Sequence, residues 1–305
     1  MARGAGALAL KLHIVGCGRV GRTLARLWVL RGTLGIGWVL NRTVASAEAA
    51  VAFIGQGRAT DRPLDVACDD WLMLAAPDGE LAVLGERLAG ALQSPPALAF
   101  HVSGAEPAQV LAPLRCPVAS MHPVRPFSNP EAAVDAFDGT PVLGEGDDSA
   151  LDRLLPVFAA IGARASRFRA VDKRRYHAAA IAASNFLNVL DQLALDLAES
   201  AGLERRQALD LIVSLQRSAL DDIAASGPAA SLTGPIERGD RDLCARLAEV
   251  LCQAPGDRRG VLPAMARAAA DLADRKHAAR RYDNPLAALF SDGCSVESGE
   301  ADGRV

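Results

Sequence analysis

Leu12-His13-Ile14-Val15-Gly16-Cys17-Gly18-Arg19-Val20-Gly21, followed by Thr23-Leu24-Ala25-Arg26-Leu27-Trp28-Val29-Leu30, is the stretch on which the fold turns. An apolar run, three glycines spaced Gly-x-Gly-x-x-Gly and an amphipathic run spell strand, tight turn and helix in that order. The glycines permit the turn and a close backbone approach, and the start of the helix leaves N–H groups unpaired for a pyrophosphate. A second strand arrives on schedule at Ile36-Gly37-Trp38-Val39-Leu40, a context that a bare glycine motif lacks. Gly16, Cys17, Gly18, Arg19, Val20 and Gly21 are therefore assigned to dinucleotide binding.

The residues that close the second strand choose between cofactors. An acidic side chain there bonds the ribose 2′-OH of NAD, but this chain has Asn41-Arg42-Thr43. A carboxylate would repel a 2′-phosphate, whereas the Arg42 guanidinium can pair with it through two charge-assisted hydrogen bonds. NADP is expected ahead of NAD.

At 305 residues, 50% of them hydrophobic, the chain is long enough for two domains with buried cores. A formal charge of −3 leaves no basic footprint, so no nucleic-acid partner is expected. The six cysteines, at 17, 68, 116, 244, 252 and 294, form no C-x-x-C pair. Neither a disulfide framework nor a metal cage is predicted, and a reducing compartment is. The opening Met1 to Leu10 runs straight into the first strand, which cleavage of a leader would damage, so a cytoplasmic location is expected. No uncharged apolar run approaches the roughly 20 residues that span a bilayer, so no membrane is expected either. Lysine occurs only at 11, 173 and 276 in a chain that otherwise uses arginine, which draws attention to Lys173.

Strand and helix patterns then alternate. Ala45 to Ile54 reads as a helix, Asp70 to Asp78 as a buried strand with its exit loop, and Glu80 to Leu92 as a helix. Ala97 to Val102 and Pro117 to Met121 read as strands, Thr140 to Leu143 as another, Ala150 to Ile161 as a helix and Ala163 to Phe168 as a last strand. The alternation predicts an α/β fold of Rossmann type, a doubly wound parallel sheet whose ligands lie beyond the carboxyl ends of its strands. From Lys173 the pattern changes to long helices at about Arg174–Ala201, Glu204–Ala225, Arg241–Gln253 and Leu262–Arg280, an all-helical C-terminal domain. The expected boundaries are 8–168 for the cofactor domain, 169–290 for the helical domain and 291–305 for a disordered tail.

Ala75, Ala76 and Pro77, Ser103 with Gly104, and His122 with Pro123 all leave strands at the carboxyl edge. The first three, with Ser103, are assigned to the cofactor. His122 sits where the nicotinamide is expected, and an imidazole near neutrality can exchange a proton with a substrate hydroxyl or amine while Ser103 orients it. On the first helix of the second domain, Lys173, His177, Ser184 and Asn188 fall within about 60° of one another, beside the small residues Ala180 and Ala183. That stripe could offer donors to a substrate carbonyl or carboxylate, or be a solvated face. The loop Thr233 to Asp240 offers Arg238 to an acidic substrate, while Asp240 could cap the helix that follows.

These segments together resemble bacterial proteins that join a Rossmann-like domain to a C-terminal domain called DUF2520. The matching pieces are the glycine loop, Asn41-Arg42, Ser103-Gly104, His122-Pro123 with Phe127, Tyr176-His177 with Ser184-Asn185, and Leu232 to Ile236 with Arg238-Gly239-Asp240. The architecture is similar to 6-phosphogluconate dehydrogenase-like reductases, among them ketopantoate reductase, pyrroline-5-carboxylate reductase and prephenate dehydrogenase. The resemblance implies NAD(P)-dependent reduction of a small molecule in a cleft between the domains, and a homodimer made by the helical domain. Prephenate dehydrogenases carry a similar strand-end His-Pro with an earlier serine, which by analogy implies His122 and Ser103 as catalytic, joined by His177. Ser184, Asn185, Lys173 and Arg238 are then expected to face the substrate. Ketopantoate and hydroxyacid enzymes pair a lysine with an asparagine four residues later, where this chain has His177, a departure that argues against Lys173 as the catalyst.

Overall fold

The first strand, β1 (Lys11–Val15), runs into α1 (Arg19–Arg31) through the glycine turn, and β2 (Gly35–Leu40) follows. The structure is a computed structural model that describes residues 10–63, 66–169, 172–257, 260–277 and 288–290. The expected tail at 291–305 therefore lies outside the described residues, as do Cys294 and the end of the last predicted helix. The chain divides into two compact units, 1–184 and 185–305.

In the first unit, α2 (Val44–Ile54), β3 (Arg58–Thr60), β4 (Trp71–Leu74), α3 (Leu81–Ala91), β5 (Leu98–His101) and β6 (Val118–Pro123) continue the alternation. The short α4 (Pro130–Asp135), then β7 (Pro141–Gly146), α5 (Asp148–Ala159) and β8 (Arg164–Arg167) complete it. The strands form one eight-stranded sheet in the order β3-β2-β1-β4-β5-β6-β7-β8. Every neighbouring pair is parallel except β6 with β7, which is antiparallel. Between those strands the chain forms only the six-residue α4 and turns back beside β6 instead of crossing over to a parallel neighbour.

Alternate residues of each strand face opposite sides of the sheet. Leu12, Ile14, Trp71, Met73, Leu98, Phe100, Ala119 and Met121 pack with α1 and α5, where Trp28, Phe100 and Phe158 meet edge to face. Val15, Leu72, Leu74, Ala99 and Val118 face the other way and pack with α3 and a 3-10 segment, Ala108–Leu114. The polar residues of the strands follow the second parity. Register aligns His101 with Ser120, and Ser120 with Glu145, so a polar row crosses the sheet on that face.

His13 has the same parity near the other end. Its Nδ1 accepts the Trp38 N–H at 3.0 Å and its Nε2 meets the Asp70 carboxylate at 3.2 Å, while the β1–β2 register shifts between Leu12 and Ile14. The ring takes over a hydrogen bond that the strand ladder gives up there.

α6 (Lys173–Ser200) begins in the first unit, and the division falls within it. The second unit adds α7 (Arg205–Ser226), α8 (Pro228–Ser231), α9 (Pro235–Arg238), α10 (Arg241–Cys252) and α11 (Val261–Lys276). Leu195 packs on Ala208 and Ile212, and Cys244, Ala248, Ala266, Ala270 and Phe290 form a second small core. The segment Thr233 to Asp240, expected as a loop, contains α9, and Asp240 caps α10 by accepting the Leu243 N–H at 3.1 Å. Glu237 holds α9 to the end of α11 through Lys276 at 3.2 Å and His277 at 2.7 Å. By length and composition alone α6 could cross a membrane, with a mean hydropathy of 1.3 over its most apolar window. Cys17, Cys68, Cys116 and Cys244 are free thiols, but Cys252 is disulfide-bonded, where the sequence suggested no disulfides.

Candidate functional site

The glycine loop takes the shape its sequence requires. Gly16 has φ +78°, and a methyl group there would lie 2.8 Å from the backbone of Ala76, so neither the dihedral nor the space admits a side chain. A methyl group on Gly21 would also be crowded, 3.0 Å from the Cβ of Ala75. A Cβ on Gly18, by contrast, would meet nothing within 4 Å, and no side chain caps the start of α1. The N–H groups of the first turn, around Arg19, Val20 and Gly21, are thus left for an anion, which is how a pyrophosphate fits this turn.

Asn41 is turned inward: its Oδ1 accepts the Cys17 N–H at 2.7 Å and its Nδ2 donates to Ser46 at 3.0 Å. It braces the glycine loop from the end of β2. Thr43 caps α2 by accepting the Ser46 N–H at 3.2 Å. Arg42 between them is exposed, with no hydrogen bond or ion pair among the described residues. A free cation therefore stands beside the loop with no acid next to it. Cys17 is buried, and burial pushes its thiol up to about 12, so it is inert packing inside the loop.

The second half of the site lies at the same carboxyl edge, past β5 and β6. His101 is fully buried and takes the Ser103 N–H on Nδ1 while Nε2 donates to the Pro107 carbonyl, both at 3.2 Å. Burial pushes it down to about 4, and the two bonds shape the turn that carries Ser103 and Gly104. Ser103 Oγ accepts the N–H groups of Ala105 and Glu106, each at 3.0 Å, so the hydroxyl fixes its own turn. Its carbonyl accepts from Ser120 Oγ at 3.0 Å and from Lys173 Nζ at 3.3 Å.

Lys173 opens α6 and is spent on this turn. Besides the Ser103 carbonyl, its ammonium donates to Ser120 Oγ and to Glu145 Oε1, the latter at 3.2 Å. Three acceptors occupy three donors. Burial pulls the lysine below its ordinary value, and the Glu145 carboxylate opposes that shift.

His122 and His177 meet at Gly104. A methyl group on that glycine would lie 2.8 Å from Nε2 of His122 and 2.8 Å from Nδ1 of His177, so the two nitrogens lie within twice that distance of each other. The rings stand at 71° with centroids 6.2 Å apart. His177 Nδ1 is buried without a hydrogen-bond partner, an atom left for something the chain does not supply. His122 Nδ1 faces the Tyr176 hydroxyl at 2.8 Å. Burial foremost, then His177 and Lys173, push His122 down to about 4, so it is a neutral ring at physiological pH.

Of the residues singled out in the sequence, the first unit thus brings Ser103, His122, Lys173 and His177 together. Ser184 Oγ donates to the Ala180 carbonyl at 2.7 Å. Asn185 and Arg238 belong to the second unit, where the exposed Arg238 side chain on α9 makes no hydrogen bond or ion pair among the described residues. His101, Ser120 and Glu145 were not singled out, and Tyr176 only as part of a matching motif. The available signal was parity on β6, where Ser120 and His122 are two apart and so share a face.

Residues 4–123 match the family described as Rossmann-like domain, and residues 140–269 match the domain of unknown function DUF2520. No curated protein matches the sequence. A Thermotoga maritima protein of known structure is 23% identical, with a TM-score of 0.65 over 87% of this chain and 99% of its own. A proposed NADP oxidoreductase of Bacteroides fragilis is 20% identical, with a TM-score of 0.69 over 88% and 98%. A pyrroline carboxylate reductase of Plasmodium falciparum, with NADP bound, is 12% identical, with a TM-score of 0.56 over 93% and 100%. Identities this low establish a shared fold. The glycine loop, the sheet order and the two matching domains agree, and the chain belongs to the proteins that join a Rossmann-like domain to a DUF2520 domain.

Proposed function

We propose that this chain is an NADP-dependent oxidoreductase that moves hydride between NADP(H) and a small keto acid, hydroxy acid or imine. The observation that carries the reading is the convergence of two imidazole nitrogens on Gly104, at the sheet edge where the glycine loop also opens. Gly16, Gly18 and Gly21 with the first turn of α1 would hold the pyrophosphate, and Ala75, Ala76 and Pro77 would line the path beside it. Arg42 would pair with the 2′-phosphate, with Thr43 and the start of α2 beside it. When bound, the cofactor supplies or receives the hydride.

The chain's own part is at the heteroatom. His122 and His177 would grip the substrate oxygen or nitrogen and trade hydrogen bonds or a proton with it. Ser103 and Lys173 would act on the turn that presents Gly104 rather than on the substrate. Arg238, Ser184 and Asn185 would recognise the rest of the molecule, an acidic group at Arg238. The fold shared with an NADP-bound reductase supports the reading.

The test pairs binding with turnover. NADPH should bind, seen as a change in its fluorescence, and be oxidised in the presence of a member of a panel of keto acids and cyclic imines. His122→Ala should cut that turnover about 100-fold and leave NADPH affinity within about twofold. Binding with no turnover across the panel would leave a cofactor-binding sensor instead.

The same reading assigns 8–168 to the cofactor and 169–290 to substrate shaping and a homodimer. Leu211, Leu215 and Leu220 of α7 are each more than half exposed, which supports a partner on that helix. Sedimentation equilibrium at twice the chain mass is the expected result.

A further inference from the structure

Two imidazoles of the first unit have their hydrogen placed by partners that can play one part only. His101 faces a backbone N–H on Nδ1 and a carbonyl on Nε2, so Nε2 carries the hydrogen. His13 faces the Trp38 N–H on Nδ1 and the Asp70 carboxylate on Nε2, with the same result. His122 differs, because the group on its Nδ1 is a phenol, which can donate or accept.

We propose that Tyr176 is a positioning residue of the site: its hydroxyl donates to Nδ1 of His122 and commits Nε2 to carrying the hydrogen. A neutral N–H then faces Gly104 and takes an atom with a free lone pair, the oxygen of a carbonyl or the nitrogen of an imine. The inference rests on the oxidoreductase reading for its substrate. The resting site then receives the unsaturated partner through a hydrogen bond at Nε2.

The sense of the hydrogen bond follows from the two groups. A phenol is the stronger donor and its oxygen the poorer acceptor, since its lone pair is shared with the ring, whereas the bare nitrogen of a neutral imidazole is a good acceptor. Burial raises the Tyr176 phenol above its ordinary value, which keeps the hydrogen on oxygen. The phenol is held in place by the tilted ring of Phe168 at 4.9 Å and stands edge-on to His122 at 84°. On the other side of the imidazole, Nε2 looks toward the same point as the unpartnered Nδ1 of His177. A carbonyl oxygen between them, with two lone pairs, satisfies both when His177 carries its hydrogen on Nδ1. A neutral imidazole N–H can polarise a carbonyl without ever becoming charged.

Labelling with [15N]histidine tests the proposal on the free protein, because the chain has only five histidines. The His122→Gln variant identifies the His122 signals, and long-range 1H–15N correlation spectra show which ring nitrogen carries hydrogen. At neutral pH the wild type should show His122 with hydrogen on Nε2. In Tyr176→Phe the commitment should be lost and the Nδ1–H form should appear, with the His13 and His101 signals unmoved as evidence of an intact fold. A wild type with hydrogen on Nδ1 overturns the proposal, as do unchanged His122 signals in Tyr176→Phe. If that variant does not fold, the wild-type spectrum alone decides. No cofactor or substrate enters the measurement, so its outcome is separate from whether any panel compound is turned over.

Discussion

Gly104 has an ordinary reason to be glycine and a chemical one. The ordinary reason is room: a methyl group would press on two imidazoles at once. The chemical one is that both rings present nitrogen, not carbon alone, to the space it leaves. Gly104→Ala should therefore displace His122 and His177 together and lower turnover about 100-fold, with NADPH binding nearly unchanged, as steady-state kinetics and a fluorescence titration would show. Arg42 makes the opposite case. It is exposed and unpaired among the described residues, so Arg42→Glu should weaken NADP about 10-fold to 100-fold and NAD by less than about threefold. Equal losses in paired titrations would remove Arg42 from cofactor choice. The places of His122 and Ser103, at the end of β6 and just past β5, were legible in the sequence because a strand end is a position that local pattern reveals. Tyr176 carried no such mark, because a hydrogen bond across 54 residues is invisible to spacing.

Lys173, Ser120 and Glu145 show what an element can do that a motif cannot. The antiparallel register sets Glu145 opposite Ser120, and the first turn of α6 brings an ammonium to both. Glu145 also accepts the Ala108 N–H at 2.8 Å, which ties in the 3-10 segment. Lys173→Met leaves a half-buried carboxylate facing an apolar chain and should cost about 1–3 kcal/mol in urea unfolding. Adding Glu145→Gln should cost less than the two single losses together, because the second change removes the charge that the first stranded. Periodicity found most elements of the sheet within a residue or two, since buried strands between amphipathic helices write strong patterns. β3, at three residues, and α4, at six, are too short to write one. The reversal of β7 was not legible either, because direction depends on how the chain returns and not on the strand's own residues.

Across the whole molecule, two histidines, one buried and one half-buried, make stability depend on acid. His101 and His122 are each held at about 4 against an ordinary 6.5, mainly by burial. The unfolded chain binds their protons first, so their contribution is complete above pH 6.5 and declines as the pH falls toward 4. Burial lowers His13 as well, though its carboxylate partner resists, and it adds to the same trend. Unfolding free energies from urea titrations between pH 7 and pH 4 should fall by on the order of a few kcal/mol. His101→Gln, which can keep a donor near Pro107, should flatten part of that slope. A slope unchanged by the substitution would place the acid sensitivity elsewhere.

The thiol of Cys17 lies in the loop assigned to the phosphates, where an oxidised sulfur would wedge the turn apart. It is sealed from solvent at 1% exposure and held as the protonated form, so peroxide and alkylating reagents find little thiolate to attack. Cys116 is only half-buried, but burial also pushes its thiol up, to about 11. Cys68 stands in the open by comparison. A maleimide dye added to the native protein should mark Cys68 first, placing an optical reporter on the cofactor domain without engineering a single residue.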